Sequence, residues 1–173
     1  PANYQIAYFT RVNDTSALET LDVSNPKAKP KLLASLPNTD FKISWPSQDT
    51  IFLSDRSNAL FSGSVLSFDL KTNTFSSVVQ KRVGLDVQWN ANGTMGLVLA
   101  GSALGRGGTL GIIDNVGNLL HKMTFLTLPS KCVFVSSSTA LQASTTVSSV
   151  FLVCGIPRNT ATLSNSPLPD AYD

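Results

Sequence analysis

The chain resembles itself at an interval of 44 to 47 residues, and no single segment constrains the fold as strongly as that repetition does. Trp45 and Trp89 lie 44 apart, while Asp69 in Ser67-Phe68-Asp69-Leu70 and Asp114 in Ile112-Ile113-Asp114-Asn115 lie 45 apart. Asp22 in Leu21-Asp22-Val23-Ser24 precedes Asp69 by 47. Asp69 and Asp114 each open a turn, Lys71-Thr72-Asn73-Thr74 or Val116-Gly117-Asn118, and each Trp is followed by a polar loop and then an apolar run. One unit therefore reads as strand, turn, strand, loop, strand, turn, strand, and it fills about 45 residues.

The residues inside each unit support strands. Phe41, Ile43 and Trp45 alternate with Lys42 and Ser44, and Val83, Leu85, Val87 and Trp89 alternate with Gly84, Asp86 and Gln88. This period of two marks a strand with one buried face. Ile51-Phe52-Leu53 and Leu97-Val98-Leu99 are continuous instead, which predicts strands covered on both faces. Composition agrees, with 22 Ser, 16 Thr, nine Phe and a single Glu, Glu19, so turn and strand formers outweigh helix formers. Charged residues make up 14% and the net charge is +2, which argues against disorder and against a nucleic-acid surface. No apolar run in the sequence reaches the roughly 20 residues of a membrane-spanning helix.

Four strands in about 45 residues is the size of a propeller blade, and one such unit alone cannot bury both faces. Here the sequence resembles a known family. Trp45-Pro46-Ser47-Gln48-Asp49-Thr50-Ile51-Phe52-Leu53-Ser54-Asp55-Arg56 is similar to the Trp-Ser-Pro-Asp-Gly, apolar triplet, Ser-Asp-Arg pattern of TolB-like (WD-like) β-propeller repeats. Phe68-Asp69-Leu70-Lys71-Thr72-Asn73-Thr74 matches their strand that ends in Asp before a Thr-Gly-type turn. A weaker copy runs from Trp89 to Asn118 and a degenerate one from Tyr4 to Leu36. Pro46 ahead of Ser47, Gln48 beside Asp49 and the absence of an Arg56 counterpart near Gly101 depart from the pattern.

The resemblance implies an all-β fold, a β-propeller segment of four-stranded antiparallel blades with about three blades and part of a fourth. The expected division places blades in residues 1–157, at approximately 4–40, 41–82, 83–127 and 128–157, with 158–173 a linker toward a further blade. Rings of that family close with six or more blades, roughly 270 residues, so the ring is expected to be unfinished. It would then either join a second copy as a homodimer or continue in a longer chain, because open strand edges invite pairing.

Compact chemistry is hard to find. His121, the single histidine, stands beside Lys122 in a strand-like run with no second His and no Glu near it, so it reads as a half-exposed strand residue. No Gly-x-Ser-x-Gly elbow and no Cys/His zinc spacing occurs. The lone Glu19 excludes a Glu pair for glycoside hydrolysis. We therefore assign no catalytic, cofactor-binding or metal residue. Gly101 to Gly108 offers successive amides beside Arg106 as an anion nest, though without the Lys-Ser/Thr ending of a P-loop, and a strand connection is the plainer reading. Asp55 and Arg56 hold the same place in the preceding repeat, so Asp55, Arg56 and Arg106 form the candidate loop binding surface. Lys27, Lys29 and Lys31 form a basic comb of the kind that protects an edge strand.

Cys132 and Cys154 fall in two segments that the pattern makes antiparallel neighbours, Lys131 to Val135 and Val150 to Cys154. Facing Val135 with Val150 or Ser149 brings Cys132 opposite Val153 or within a residue of Cys154. A cross-strand disulfide is open to them, with two buried thiols as the alternative. A disulfide would imply an oxidising, extracytoplasmic setting, periplasmic or at the cell surface. The resulting functional expectation is a non-catalytic platform that binds a protein or cell-envelope component. The rival is a propeller accessory to a hydrolase, a serine peptidase or carbohydrate-active enzyme, whose catalytic residues lie outside this chain.

Overall fold

A computed structural model describes residues 4–37, 40–141 and 145–169. Among these residues, thirteen strands form four antiparallel sheets. Strands β1 (Gln5–Val12), β2 (Thr15–Asp22) and β3 (Lys31–Pro37) make a three-stranded sheet in that order. Strands β4 (Phe41–Ser44), β5 (Thr50–Asp55), β6 (Ser62–Asp69) and β7 (Thr74–Val83) make a complete meander, and β8 (Asp86–Trp89), β9 (Met95–Gly101), β10 (Gly108–Asp114) and β11 (Leu119–Lys122) make a second. A hairpin of β12 (Cys132–Leu141) and β13 (Thr145–Cys154) follows a 3-10 turn at Pro129–Lys131, and a short helix α1 (Thr160–Ser164) lies near the end. The all-β fold class read from the sequence is the one observed.

The sequence repeat is a repeat of register. Asp22 pairs with Gln5, Asp69 with Thr50 and Asp114 with Met95, in each case the last residue of one strand opposite the first residue of the strand before it. In all three, a carboxylate oxygen accepts backbone N–H groups just beyond the strand, from Ser24 at 2.9 Å, from Lys71 and Thr72 at 2.8 Å, and from Val116 and Asn118 at 3.0 and 2.8 Å. An Asx turn ends the strand at the same place every time. By this register β1 corresponds to β5 and β9, and among the described residues the first sheet shows no strand equivalent to β4 and β8.

Packing follows from the apolar triplets. Ile51 and Leu53 point toward the first sheet and meet Leu18 and Phe68, whereas Phe52 between them points the other way and meets Val87 and Trp89. The three are buried together, as a strand covered on both faces requires. Leu97 and Leu99 pass into a third cluster with Leu110, Leu128, Cys132, Leu163 and Leu168, and Val98 packs on the opposite side. Every sheet thus gains its core from its neighbour, at roughly 1.5 to 3 kcal/mol for each large side chain removed from water.

Several local expectations need correction. The alternating run that began at Val83 is divided, because Val83 ends β7 and Gly84, at a positive φ of 56°, turns the chain into β8. Of the basic comb, Lys31 alone enters a strand, since Asn25 holds the amides of Lys27 and Ala28 in a turn and Pro30 lacks a donor. The described part of the tail, 158–169, packs against the third sheet: Asn159 caps α1 by accepting from the Ala161 amide, and Leu163 and Leu168 are buried. Residues 170–173 of the expected linker lie outside the described residues.

Candidate functional site

The connections β5 to β6 and β9 to β10 occupy equivalent places in the two complete sheets, and they hold the three residues proposed for a loop surface. In the first, Asp55 Oδ2 accepts the Ser64 amide at 2.8 Å, and Asn58 Oδ1 accepts the amides of Leu60 and Phe61, both at 2.9 Å. The loop is also tied to the link that leads into the next sheet, because Ser57 Oγ donates to Leu85 O at 2.8 Å and Gly84 N donates to Asn58 O at 2.9 Å. Arg56 Nε stands 3.4 Å from Asp40 Oδ1, with both side chains exposed.

Asp55 and Arg56 line a cleft of about 470 Å³ together with Lys42, Asp86, Leu128 and Pro169. Lys42 Nζ lies 3.3 Å from both Asp86 Oδ1 and Val87 O. Lys42 and Asp86 are 44 residues apart, so this ion pair joins the first strands, β4 and β8, of the two four-stranded sheets. An exposed pair of this kind contributes at most about 1 kcal/mol, and its chief consequence is to fix where the two charges sit. The cleft therefore presents two cations and two carboxylates from two sheets, a surface suited to polar recognition.

Arg106 is not brought into that cleft. It lines a separate one of about 360 Å³ with Ser102, Gly107, Leu126 and Ser164. The anion-nest reading fails here on hydrogen-bond grounds. Ser102 N donates to Gly107 O, Leu104 N to Ser102 Oγ, Gly105 N to Ser102 O and Gly107 N to Ser166 O, so these amides are already committed. Gly107 has φ +68° and its Cα approaches the tail so closely that a Cβ would meet Ser164 O at 2.8 Å, which makes the loop a clasp on the tail.

Elsewhere, the turn carboxylates have structural environments. His121 lies exposed on the edge strand β11, opposite Ile112. The three turn carboxylates are held below the ordinary Asp range by the hydrogen bonds they accept, chiefly from the Ser24 side chain for Asp22, from the Thr72 and Lys71 amides for Asp69, and from the Asn118 side chain for Asp114. No group of three or more His, Cys, Asp or Glu among the described residues is placed to hold a metal. No helix among the described residues is long and apolar enough to cross a membrane.

Cys132 and Cys154 are directly opposed across the hairpin and joined by a disulfide. Val135 faces Phe151, one residue beyond the register inferred from the sequence. The hairpin has two unlike faces. Cys132, Phe134, Leu152 and Cys154 pack on the third sheet, whereas Val133, Val135, Phe151 and Val153 stand in solvent. The sequence reading missed both the Lys42 to Asp86 pair and this bare face. The 44-residue offset of the ion pair was a usable signal for the first, and the Val-x-Val alternation of β12 for the second.

No family model matches the sequence, and no curated protein matches it either. Among solved structures, TolB from Acinetobacter baumannii superposes with a TM-score of 0.54 at 13% identity, over 94% of this chain and 42% of that one. Prolyl oligopeptidase B from Galerina marginata, in its apo form, gives a TM-score of 0.42 at 11% identity, over 87% of this chain and 24% of that one. This chain thus spans less than half the length of the structures it resembles. The TolB likeness is one of fold, and in fold the chain is a partial TolB-like β-propeller with antiparallel sheets as its blades.

Proposed function

We propose that the chain is part of a non-catalytic propeller platform that binds a protein or cell-envelope component through the cleft lined by Lys42, Asp55, Arg56 and Asp86. The observation that carries this reading is the cleft itself: two adjacent blades each supply charged side chains to one opening, and the Asp55 loop is tied down by hydrogen bonds to its own sheet and to the link that leads into the next. A rigid frame with mixed charge favours orientation and specificity over bond-making chemistry. The disulfide suits an oxidising, extracytoplasmic setting. The bare hairpin face suits a ring completed by another blade-like sheet, which in the isolated chain is drawn from a second copy.

The test immobilises the protein and exposes it to solubilised cell-envelope proteins, comparing wild type with Arg56→Glu and Lys42→Glu. A partner retained by the wild type and lost by both variants is the expected result. Retention indifferent to both charge reversals, or hydrolysis of peptide or glycoside substrates that His121→Ala abolishes, would overturn it.

A further inference from the structure

Away from the loop cleft, a groove of about 460 Å³ runs along the outer rim between β7 and the sheet of β9, β10 and β11. Its walls include Val79, Val98, Ile113 and Leu119, and the charged residues among its lining are Arg82 and Lys122, both cations. Neither makes an ion pair among the described residues. No carboxylate lines the groove.

Both bordering strands are bulged at this point. In β6 and β7 the register shifts between Gly63 and Val65 and again between Val65 and Leu66, and in β10 and β11 it shifts between Ile112 and Ile113. Lys81, at φ 43°, occupies the bulge next to Arg82. Bulges re-aim side chains and interrupt the ladder. Here they place Val78 and Val79, consecutive residues, along the same groove, and they leave the rim poorly suited to adding a strand. Recognition at this rim rests on side chains instead.

The two ends of the groove differ. One end is closed where Gly117, at φ +97°, lies against the Val78 backbone so tightly that no Cβ fits. Arg82 lies four residues further along β7, about 13 Å at roughly 3.3 Å per residue. Lys122 pairs with Gly111, three residues back from Asp114 at the same turn, and so stands toward the Arg82 end. The arrangement is an apolar trough closed at one end and flanked by two unpaired cations at the other.

We infer that this groove binds a short extended protein segment that carries aliphatic side chains and carboxylates. Its apolar walls would take the aliphatic groups, and Arg82 and Lys122 would pair with the acids. Charge complementarity decides the occupant, since a basic or neutral segment would leave both cations facing like charge or none. The inference concerns a site separate from the loop cleft, so either can fail without the other.

The probe is a fluorescein-labelled ten-residue peptide of alternating Val and Glu, followed by fluorescence anisotropy, with a Val and Lys peptide as control. Saturable binding of the acidic peptide alone is expected, weakened at least about tenfold by Arg82→Glu with Lys122→Glu and weakened by salt. Both side chains are exposed, and circular dichroism of the double variant checks that it folds. Lys29→Ala should leave binding within about twofold, because Lys29 is exposed ahead of β3 and lines neither the groove nor the loop cleft. Equal binding of the two peptides, undiminished binding by the double variant, or no saturation at millimolar peptide would overturn the inference. Binding of decanoate without binding of the peptide would overturn it in favour of a small carboxylate amphiphile.

Discussion

Phe52 and Phe151 are both strand phenylalanines with aliphatic neighbours, yet one is 1% exposed and the other 54%. Phe52 stacks on Trp89 of the next sheet with ring centroids 3.7 Å apart and planes 13° from parallel. Phe151 belongs to the outer face of the hairpin, whose inner face is sealed on the third sheet through Phe134 and Leu152. The difference lies in the neighbour and not in the residue. A propeller sheet buries only what an adjacent sheet covers, so a face with no sheet packed on it within this chain stays exposed however well its strands are patterned.

That comparison can be broken by mutation. At a protein concentration low enough for the chain to be monomeric, Phe52→Ala should cost about 4 kcal/mol in urea unfolding, since it opens a cavity in a packed interface, whereas Phe151→Ala should cost less than about 0.5 kcal/mol. Equal costs there would mean that the outer hairpin face is covered within the single chain. Reduction of the Cys132 to Cys154 bridge, or a Cys132→Ser with Cys154→Ser variant, should remove about 3 kcal/mol, the loop-closure contribution for a bridge of 22-residue separation. An unchanged thermal transition, with two titratable thiols in the untreated protein, would contradict it. Gly107→Ala should cost about 2 kcal/mol, because alanine at φ +68° is strained and its Cβ meets the Ser164 carbonyl. Limited proteolysis within the tail should rise in that variant.

Acid sharpens the comparison between blades, whose turns share one chemistry. The folded-state pKa values of Asp22, Asp69 and Asp114 are depressed, so their contribution is present above the unfolded carboxylate range near pH 4 and is lost as pH falls through the lower folded values. The melting temperature should hold from neutrality to about pH 5 and drop below about pH 4. Asp69→Asn should make that drop shallower, and an identical acid profile would remove the turn carboxylates as its cause. The smallest effect belongs to the inter-blade ion pair. A double-mutant cycle on Lys42→Ala and Asp86→Ala should give a coupling of about 0.5 kcal/mol that vanishes at high salt.

The blades were legible because two kinds of residue mark them at fixed places. Asp22, Asp69 and Asp114 end the third strand position, and Trp45 and Trp89 directly follow or end the first. The Asp caps a local turn and the Trp recurs at the same strand position, so both leave a signature at a fixed interval. What depends on relations between distant segments left less trace. The helix at Thr160–Ser164 is too short to show a period, and its place is set by the burial of Leu163 and Leu168 against the third sheet. The hairpin register was misread by one residue because its serine and threonine run gives no alternation to anchor it. The loops that hold Arg106 and Arg56 looked equivalent by repeat position, but one clasps the tail through Gly107 and the other borders the cleft of Lys42 and Asp86.

Pairing of the bare hairpin face with a second copy of the chain is measured directly by absolute mass from light scattering over a concentration series. The chain of 18.4 kDa should rise in mass with concentration, and Phe151→Lys, which places a charge in the centre of that face, should hold it at the monomer mass. A wild type that stays at 18.4 kDa throughout, indistinguishable from Phe151→Lys, would contradict it.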